Sequence, residues 1–173
     1  HQDERPPAVA IDLIVIHGGS ISVLKNRGSA NFESPRTGPV GNDPVYVTVA
    51  DVSGDGKPDL LTANSADGTV SVVFNLGNLL FTVATSLQAG SNPQWVTPAD
   101  LDGDGDVDLA VANSGSGTIS ILRNQGAGFF FGATSVSAGT HPRAVVAADF
   151  NNDGSIDLAA ADEATSDDTF VDT

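Results

Sequence analysis

The sequence predicts an all-β chain: β-propeller blades of four antiparallel strands, about three and a half 49-residue repeats, in a single repeat domain over 1–173. Three observations predict it. Asp51, Asp100 and Asp149 stand 49 residues apart and open similar stretches, ADVSGDGKPDLLTAN, ADLDGDGDVDLAVAN and ADFNNDGSIDLAAAD. The same step is kept by Gly41, Gly90 and Gly139, by Pro44, Pro93 and Pro142, by Asn26, Asn75 and Asn124, and by Phe32, Phe81 and Phe130. Finally, the segments between these columns are short runs of Val, Ile, Leu and Ala, punctuated by Gly, Asn, Asp and Pro, with no amphipathic helical period.

Each element follows from that frame. In the repeat over 92–140, QWVTPAD reads as a first strand, the acidic loop follows, and DLAVAN is a second strand. SGSG then makes a turn, TISILRN a third strand and, after QGAG, FFFGATSVSA a fourth. Thr69, Val70, Ser71 and Val72, like Thr118, Ile119, Ser120 and Ile121, alternate as a strand with one apolar face does, whereas LAVA is small and apolar on both faces and suits a strand packed between blades. The predicted units are a partial blade over about 8–42, blades over about 43–91 and 92–140, and a partial blade over about 141–173. In the first, DLIVIHGGSISVLKN supplies the second and third strands, and RPPAVAI has room for a short first strand without an acidic loop. In the last, the chain reaches a second strand and the polar tail EATSDDTFVDT.

Composition narrows the function classes. Seven Lys and Arg against 22 Asp and Glu give a formal charge of −15, which opposes nucleic-acid phosphates and anionic membrane surfaces alike. No apolar run is long enough for membrane insertion as a helix. With no Cys there is neither a disulfide framework nor a thiolate metal site. The chain opens on His1, contains no Met and shows no signal-peptide pattern, which reads as a processed or excised segment. It has no Asn-x-Ser/Thr sequon.

The acidic loops read as nine-position calcium sites. Calcium takes six to eight oxygen ligands in flexible geometry, so carboxylates at positions 1, 3, 5 and 9 with the carbonyl of position 7 nearly fill its sphere, and water completes it. The ligands are then Asp51, Ser53, Asp55, the Lys57 carbonyl and Asp59 in the first loop. In the second they are Asp100, Asp102, Asp104, the Asp106 carbonyl and Asp108; in the third, Asp149, Asn151, Asp153, the Ser155 carbonyl and Asp157. Up to three Ca2+ ions are expected, bound tightest by the second loop, where carboxylates are densest. An EF-hand is excluded, because its bidentate acid at position 12 is here Thr62, Val111 or Ala160 and the flanks are strands. The bland alternative is a set of Asp-Gly hairpin turns that need no metal.

DxDGDGxxDLAVAN, followed by QGAGFF, LGNLLF and NRGSANF as versions of an N-x-G-x-G-x-F segment, resembles the FG-GAP or VCBS repeat family over residues 8–162. These are the calcium-loop repeats of integrin α-subunit propellers and of many bacterial surface and secreted proteins. The resemblance implies a seven-bladed propeller, calcium in the hairpin loop between the first two strands of a blade, and a secreted or cell-surface setting. The chain has only about half the repeats of such a ring.

Other chemistry is sparse. His1, His17 and His141 fall in unrelated places: His1 lacks the second His a copper site needs, His17 ends a second strand beside a turn, and His141 precedes the recurrent proline. No Ser-His-Asp set or phosphate-cradling glycine motif stands apart from the loops, so no enzyme is expected. Tyr46 and Trp95 share a first-strand column, where an aromatic ring either packs between blades or stacks on a sugar. The preferred expectation is a calcium-stabilised extracellular module for binding or adhesion, with a protein or glycan ligand. Its alternatives are a self-assembling subunit whose open blade edges complete one another as a ring or filament, and an accessory domain of a polysaccharide-acting enzyme.

Overall fold

The computed structural model describes residues 12–163. The N-terminal stretch expected to hold a short first strand, His1, and the tail beyond Glu163 lie outside them. Strand and turn account for the described residues, without helix. The first sheet pairs β1 (Leu13–His17), β2 (Ser20–Leu24) and β3 (Arg36–Pro39) in that order. In the second, β4 (Pro44–Ala50), β5 (Asp59–Asn64) and β6 (Thr69–Val73) are followed by a small hairpin, β7 (Asn75–Gly77) with β8 (Leu80–Phe81), before β9 (Thr85–Gln88) closes the order β4-β5-β6-β9. The third sheet runs β10 (Pro93–Ala99), β11 (Asp108–Asn113), β12 (Thr118–Leu122), β13 (Thr134–Ser137), and the fourth pairs β14 (Pro142–Ala148) with β15 (Asp157–Asp162). All pairings are antiparallel and, apart from β6 with β9 across the small hairpin, join chain neighbours, the meander expected of blades.

The recurrent proline opens β4, β10 and β14, and in each the register slips by one residue just after it. A strand's first residue on an edge is where the missing N–H costs no ladder bond. The sheets stack face to face. Between the first and second lie Ile21, Val23, Leu60 and Val73. Between the second and third lie Val52, Leu61, Ala63, Val70 and Val72 against Val96, Leu109, Val111 and Leu122, and between the third and fourth Ala110, Ala112, Ile119 and Val145. Both faces of β5 and β11 are buried along their whole length, as the small apolar LAVA run predicts.

Two expectations change. The fourth strand predicted over FFFGATSVSA is only Thr134–Ser137, because Phe129–Phe131 belongs to a hairpin turn instead. Asn124 Oδ1 accepts the Gly126 amide, the Gln125 amide donates to the Phe129 carbonyl and the Phe129 amide to the Gly126 carbonyl across residues of positive φ, closing the turn before the strand begins. The polar face of β6 is buried too. Ser71 meets the first sheet's side of the seam, where its hydroxyl accepts bonds from Asn64 Nδ2 and the Gly41 amide. A Cβ on Gly41 would stand 2.6 Å from Asn64, and one on Gly90 2.6 Å from Asn113, so these columns keep glycine against a buried asparagine.

Candidate metal centre

The acidic loops join the first and second strands of the second, third and fourth sheets, and all three are wired alike. Position 1 accepts from amides inside its own loop. Asp51 takes Asp55 and Gly56, Asp100 takes Gly103 and Gly105, and Asp149 takes Asp153 and Gly154, at 2.7–3.1 Å. Position 5 accepts from position 7: Asp55 from Lys57, Asp104 from Asp106, Asp153 from Ser155. Position 9 closes the loop, with Asp59 accepting the Val52 and Ser53 amides, Asp108 that of Leu101 and Asp157 that of Phe150. This wiring folds the nine residues so that carboxylates converge.

How far they converge differs. In the second loop one carboxylate oxygen each from Asp100, Asp102 and Asp108 lie within 4.8 Å of one another, and among the described residues no other loop gathers three acids this way. Asp106 turns its carboxylate toward the hairpin of its own sheet, where a Cβ on Gly126 would be 3.3 Å away; its carbonyl is the expected ligand. The Asp104 carboxylate stays outside the cluster. Arg123 Nη1 lies 3.4 Å from Asp102, an exposed pair that takes off part of the charge. In the first loop Ser53 replaces the third acid and donates to Asp51 at 3.3 Å, while Lys57 Nζ sits 2.6 Å from Asp55. In the third, Asn151 at position 3 accepts the Asp153 amide.

The electrostatics follow. Burial, reinforced by the charges of Asp102 and Asp104, pushes the Asp108 carboxyl above its ordinary range against the bonds from Asn124 and Leu101. The hydrogen bond from the Lys57 side chain holds Asp55 below it, and backbone amides do the same for Asp149 and Asp153. A buried carboxylate whose two amide bonds do not offset its burial, beside two further acids offering hard oxygen donors, fits a divalent hard cation, and the ligand types and loop length suit calcium. Asp108 keeps lone pairs to spare while accepting two amides.

A scan against family models matches the FG-GAP-like repeat three times, over residues 10–62, 53–111 and 100–160. The chain belongs to the FG-GAP-like repeat family. No curated protein matches it. Among solved structures, an Agrocybe aegerita lectin described by its specific recognition of non-reducing terminal N-acetylglucosamine is similar at 23% identity and a TM-score of 0.60, over 86% of this chain and 43% of that one. BBS1N in complex with ARL6DN is similar at 14% identity and 0.56, over 88% and 46%. A Tc holotoxin pore of Photorhabdus luminescens is similar at 24% and 0.50, over 85% and 8%. The chain therefore spans less than half the length of each, and at these identities the likeness is one of fold.

Within this FG-GAP-like chain, three further columns matter that the loop reading passed over. Asn75 and Asn124 tie each loop to the hairpin after the third strand: their amides donate to Asp59 and Asp108 at 2.8 and 2.7 Å, and Asn124 Nδ2 also reaches the Val52 carbonyl of the preceding sheet at 2.8 Å. Position 2 plugs the seam to the next sheet, Val52 beside Leu109 and Leu122, and Leu101 beside Val145. The last residue of each second strand is a polar hub, and His17 fills it in the first sheet, its Nε2 3.0 Å from Ser22 Oγ as Asn64 Nδ2 is 2.9 Å from Ser71. The 49-residue register of Asn75 with Asn124 was the available signal. Tyr46 and Trp95 stack on each other across the seam, ring centroids 3.9 Å apart, and His141 lies in an exposed loop whose amide donates to Asp162.

Proposed function

We propose that this chain is a calcium-stabilised extracellular propeller module that binds a protein or glycan ligand and carries out no catalysis. The observation that carries the reading is the convergence of Asp100, Asp102 and Asp108 in a loop built like its two neighbours. A cation held there neutralises acids that otherwise repel, and it fixes a hairpin whose second residue plugs the seam to the next sheet. Calcium thereby stiffens the stack from which the loops and edges project as a contact surface. Glycan is among the ligand classes because a fold relative is a lectin. Among the described residues no helix is long and apolar enough to cross a membrane.

Calorimetric titration of chelator-stripped protein with Ca2+ tests this. One tight and up to two weaker sites are expected, with a rise in melting temperature corresponding to about 2.7 kcal/mol at a hundredfold excess over Kd. Absent heat and a melting temperature indifferent to chelator sink it.

A second reading is favoured by the fourth sheet. Phe150 stands in the column of Val52, which is 1% exposed under the next sheet, yet Phe150 is 56% exposed, with Val146 and Ile156 exposed beside it. A face shaped for a following blade suits the first sheet of a second copy, giving a ring or a filament. Light scattering in calcium separates the readings: a monomer at every concentration removes assembly, and dissociation of an oligomer by Phe150→Ser supports it.

A further inference from the structure

The seam between the first and second sheets contains a cavity of about 250 Å3, lined by Ile21, Val23, Leu60, Val73, Leu79 and Phe81, with Arg36 at its margin. Its origin lies in two substitutions within the repeat. Where the second sheet fills the next seam with Leu87 and Phe74, the first sheet has Gly38 and Lys25. Phe74 packs so closely there that a Cβ on Gly128 would stand 2.4 Å from its ring, whereas a Cβ on Gly38 would meet nothing within 4 Å. The space is therefore missing side-chain volume in an otherwise close-packed stack.

Charge around its mouth is inverted relative to the molecule. In a chain of net charge −15, Arg36 lines the cavity and the two clefts beside it, and Lys25, Lys57 and Arg27 line those clefts. Arg27 is paired with Glu33 at 2.9 Å and Lys57 with Asp55 at 2.6 Å. Asp12, the other acid of the clefts, accepts the Asn26 amide. Arg36 and Lys25 have no ionic partner among the described residues.

We propose that this cavity is a binding site for a small amphiphile, a short apolar chain seated between the first two sheets with an anionic head on Arg36. The site is partly open to solvent, with Thr37 and Thr82 beside its apolar lining, and its volume exceeds the ~150 Å3 that takes up a benzene-sized guest, so a short alkyl chain fits along Ile21, Val23, Leu60 and Val73. A planar guanidinium with free donors suits a carboxylate head. The site goes beyond the calcium reading and does not depend on it, since neither the apolar lining nor Arg36 belongs to an acidic loop.

The test uses the full chain in saturating calcium, with octanoate as probe and 1-octanol as the uncharged control, read by calorimetry and by methyl shifts of Ile21, Val23, Leu60 and Leu79. Gly38→Leu restores the side chain the repeat carries at Leu87; its backbone φ is not in the left-handed region, so it fills the cavity without strain. Octanoate binding to the parent, lost in Gly38→Leu with the melting temperature and calcium titration unchanged or improved, is the expected result. Arg36→Gln is expected to weaken octanoate about tenfold while leaving octanol within about twofold. No uptake by the parent, equal uptake by a folded Gly38→Leu protein, or an equal effect of Arg36→Gln on both probes overturns the proposal. If Gly38→Leu fails to fold, Gly38→Ala and Arg36→Gln decide by the same criteria.

Discussion

The loops over 51–59 and 100–108 occupy the same place on successive sheets, share the wiring of positions 1, 5 and 9, and differ in what that wiring gathers. Asp59 and Asp108 are both fully buried and both tie the loop to the third strand's end through Asn75 and Asn124. In the first loop Ser53 removes one acid and Lys57 satisfies another, so the loop is nearly complete as a hydrogen-bonded turn. The second crowds Asp100, Asp102 and Asp108 with only an exposed Arg123 in partial answer. The framework is thus independent of what it holds. Loop shape comes from backbone amides meeting positions 1, 5 and 9, and cation demand from positions 3 and 7.

The largest effect is expected at position 9. Replacing Asp59 or Asp108 by Ala removes the carboxylate that accepts two or more amides at a buried position, a loss on the order of 3 kcal/mol in urea unfolding. The comparison sharpens with the metal. In chelator Asp59→Ala is the more damaging of the two, because Asp108 carries an uncompensated charge there; in saturating calcium the order reverses. Equal costs in both conditions mean the loops are alike and the second binds no cation.

Next comes affinity. Asp102→Ser gives the second loop the first loop's third position and is expected to weaken calcium about ten- to a hundredfold. The reciprocal Ser53→Asp gains little while Lys57 holds Asp55, and gains more when combined with Lys57→Val. Calorimetry on the four proteins checks both directions. An affinity unmoved by Asp102→Ser removes position 3 from the site.

One carboxyl in each of the two loops is shifted, and in opposite senses, in calcium-free protein. Asp55 is held below its unfolded value of 3.8, so its stabilising contribution is present above that value and lost as pH falls through the folded one. Asp108 is raised above 3.8, so its contribution is present below 3.8 and lost as pH rises through its folded value. Carboxyl-carbon NMR titration in chelator should find Asp108 titrating above Asp55. Saturating calcium should move Asp108 down more than Asp55, whose ammonium partner already supplies the opposite charge. Coincident midpoints, or no response to calcium, break the contrast.

Much of this was legible from period and residue type. The 49-residue columns located the three acidic loops and the first three strands of the second and third sheets, because Gly, Pro and Asp punctuate where the backbone turns, and LAVA announced a strand buried on both faces. The rest depends on contacts between sheets. That Asn124 reaches the Val52 carbonyl, that Val52 and Leu101 plug the next seam, and that Tyr46 and Trp95 stack are consequences of putting residues 49 or more positions apart face to face. Local pattern carries no sign of them. Phe129–Phe131 misled for a related reason: three aromatics in a row have strand propensity, but Gly126, Ala127 and Gly128 at positive φ commit the backbone to a turn first. What Gly38 lacks, likewise, shows only beside Leu87 in the same place of the next sheet.

The smallest expected effect tests the polar hubs. Asn64 and Asn113 end β5 and β11, both fully buried, and each donates to a serine on the third strand at 2.9 Å. Thr62 Oγ1 donates to Asn64 Oδ1 at 2.9 Å, but Val111 holds that column in the third sheet, and Asn113 Oδ1 is left buried without a partner. Putting threonine into a packed core at Val96, in β10, desolvates a hydroxyl for no bond and is expected to cost about 1–3 kcal/mol. Val111→Thr desolvates the same hydroxyl yet satisfies a waiting acceptor, so its stability should fall within about 0.5 kcal/mol of the parent or rise above it. The two nearly isosteric changes differ only in whether an orphan oxygen stands two residues along the same face. If Val111→Thr costs as much as Val96→Thr in denaturant, the asparagine hubs are not equivalent and the repeat's polar seam has a different pairing in each sheet.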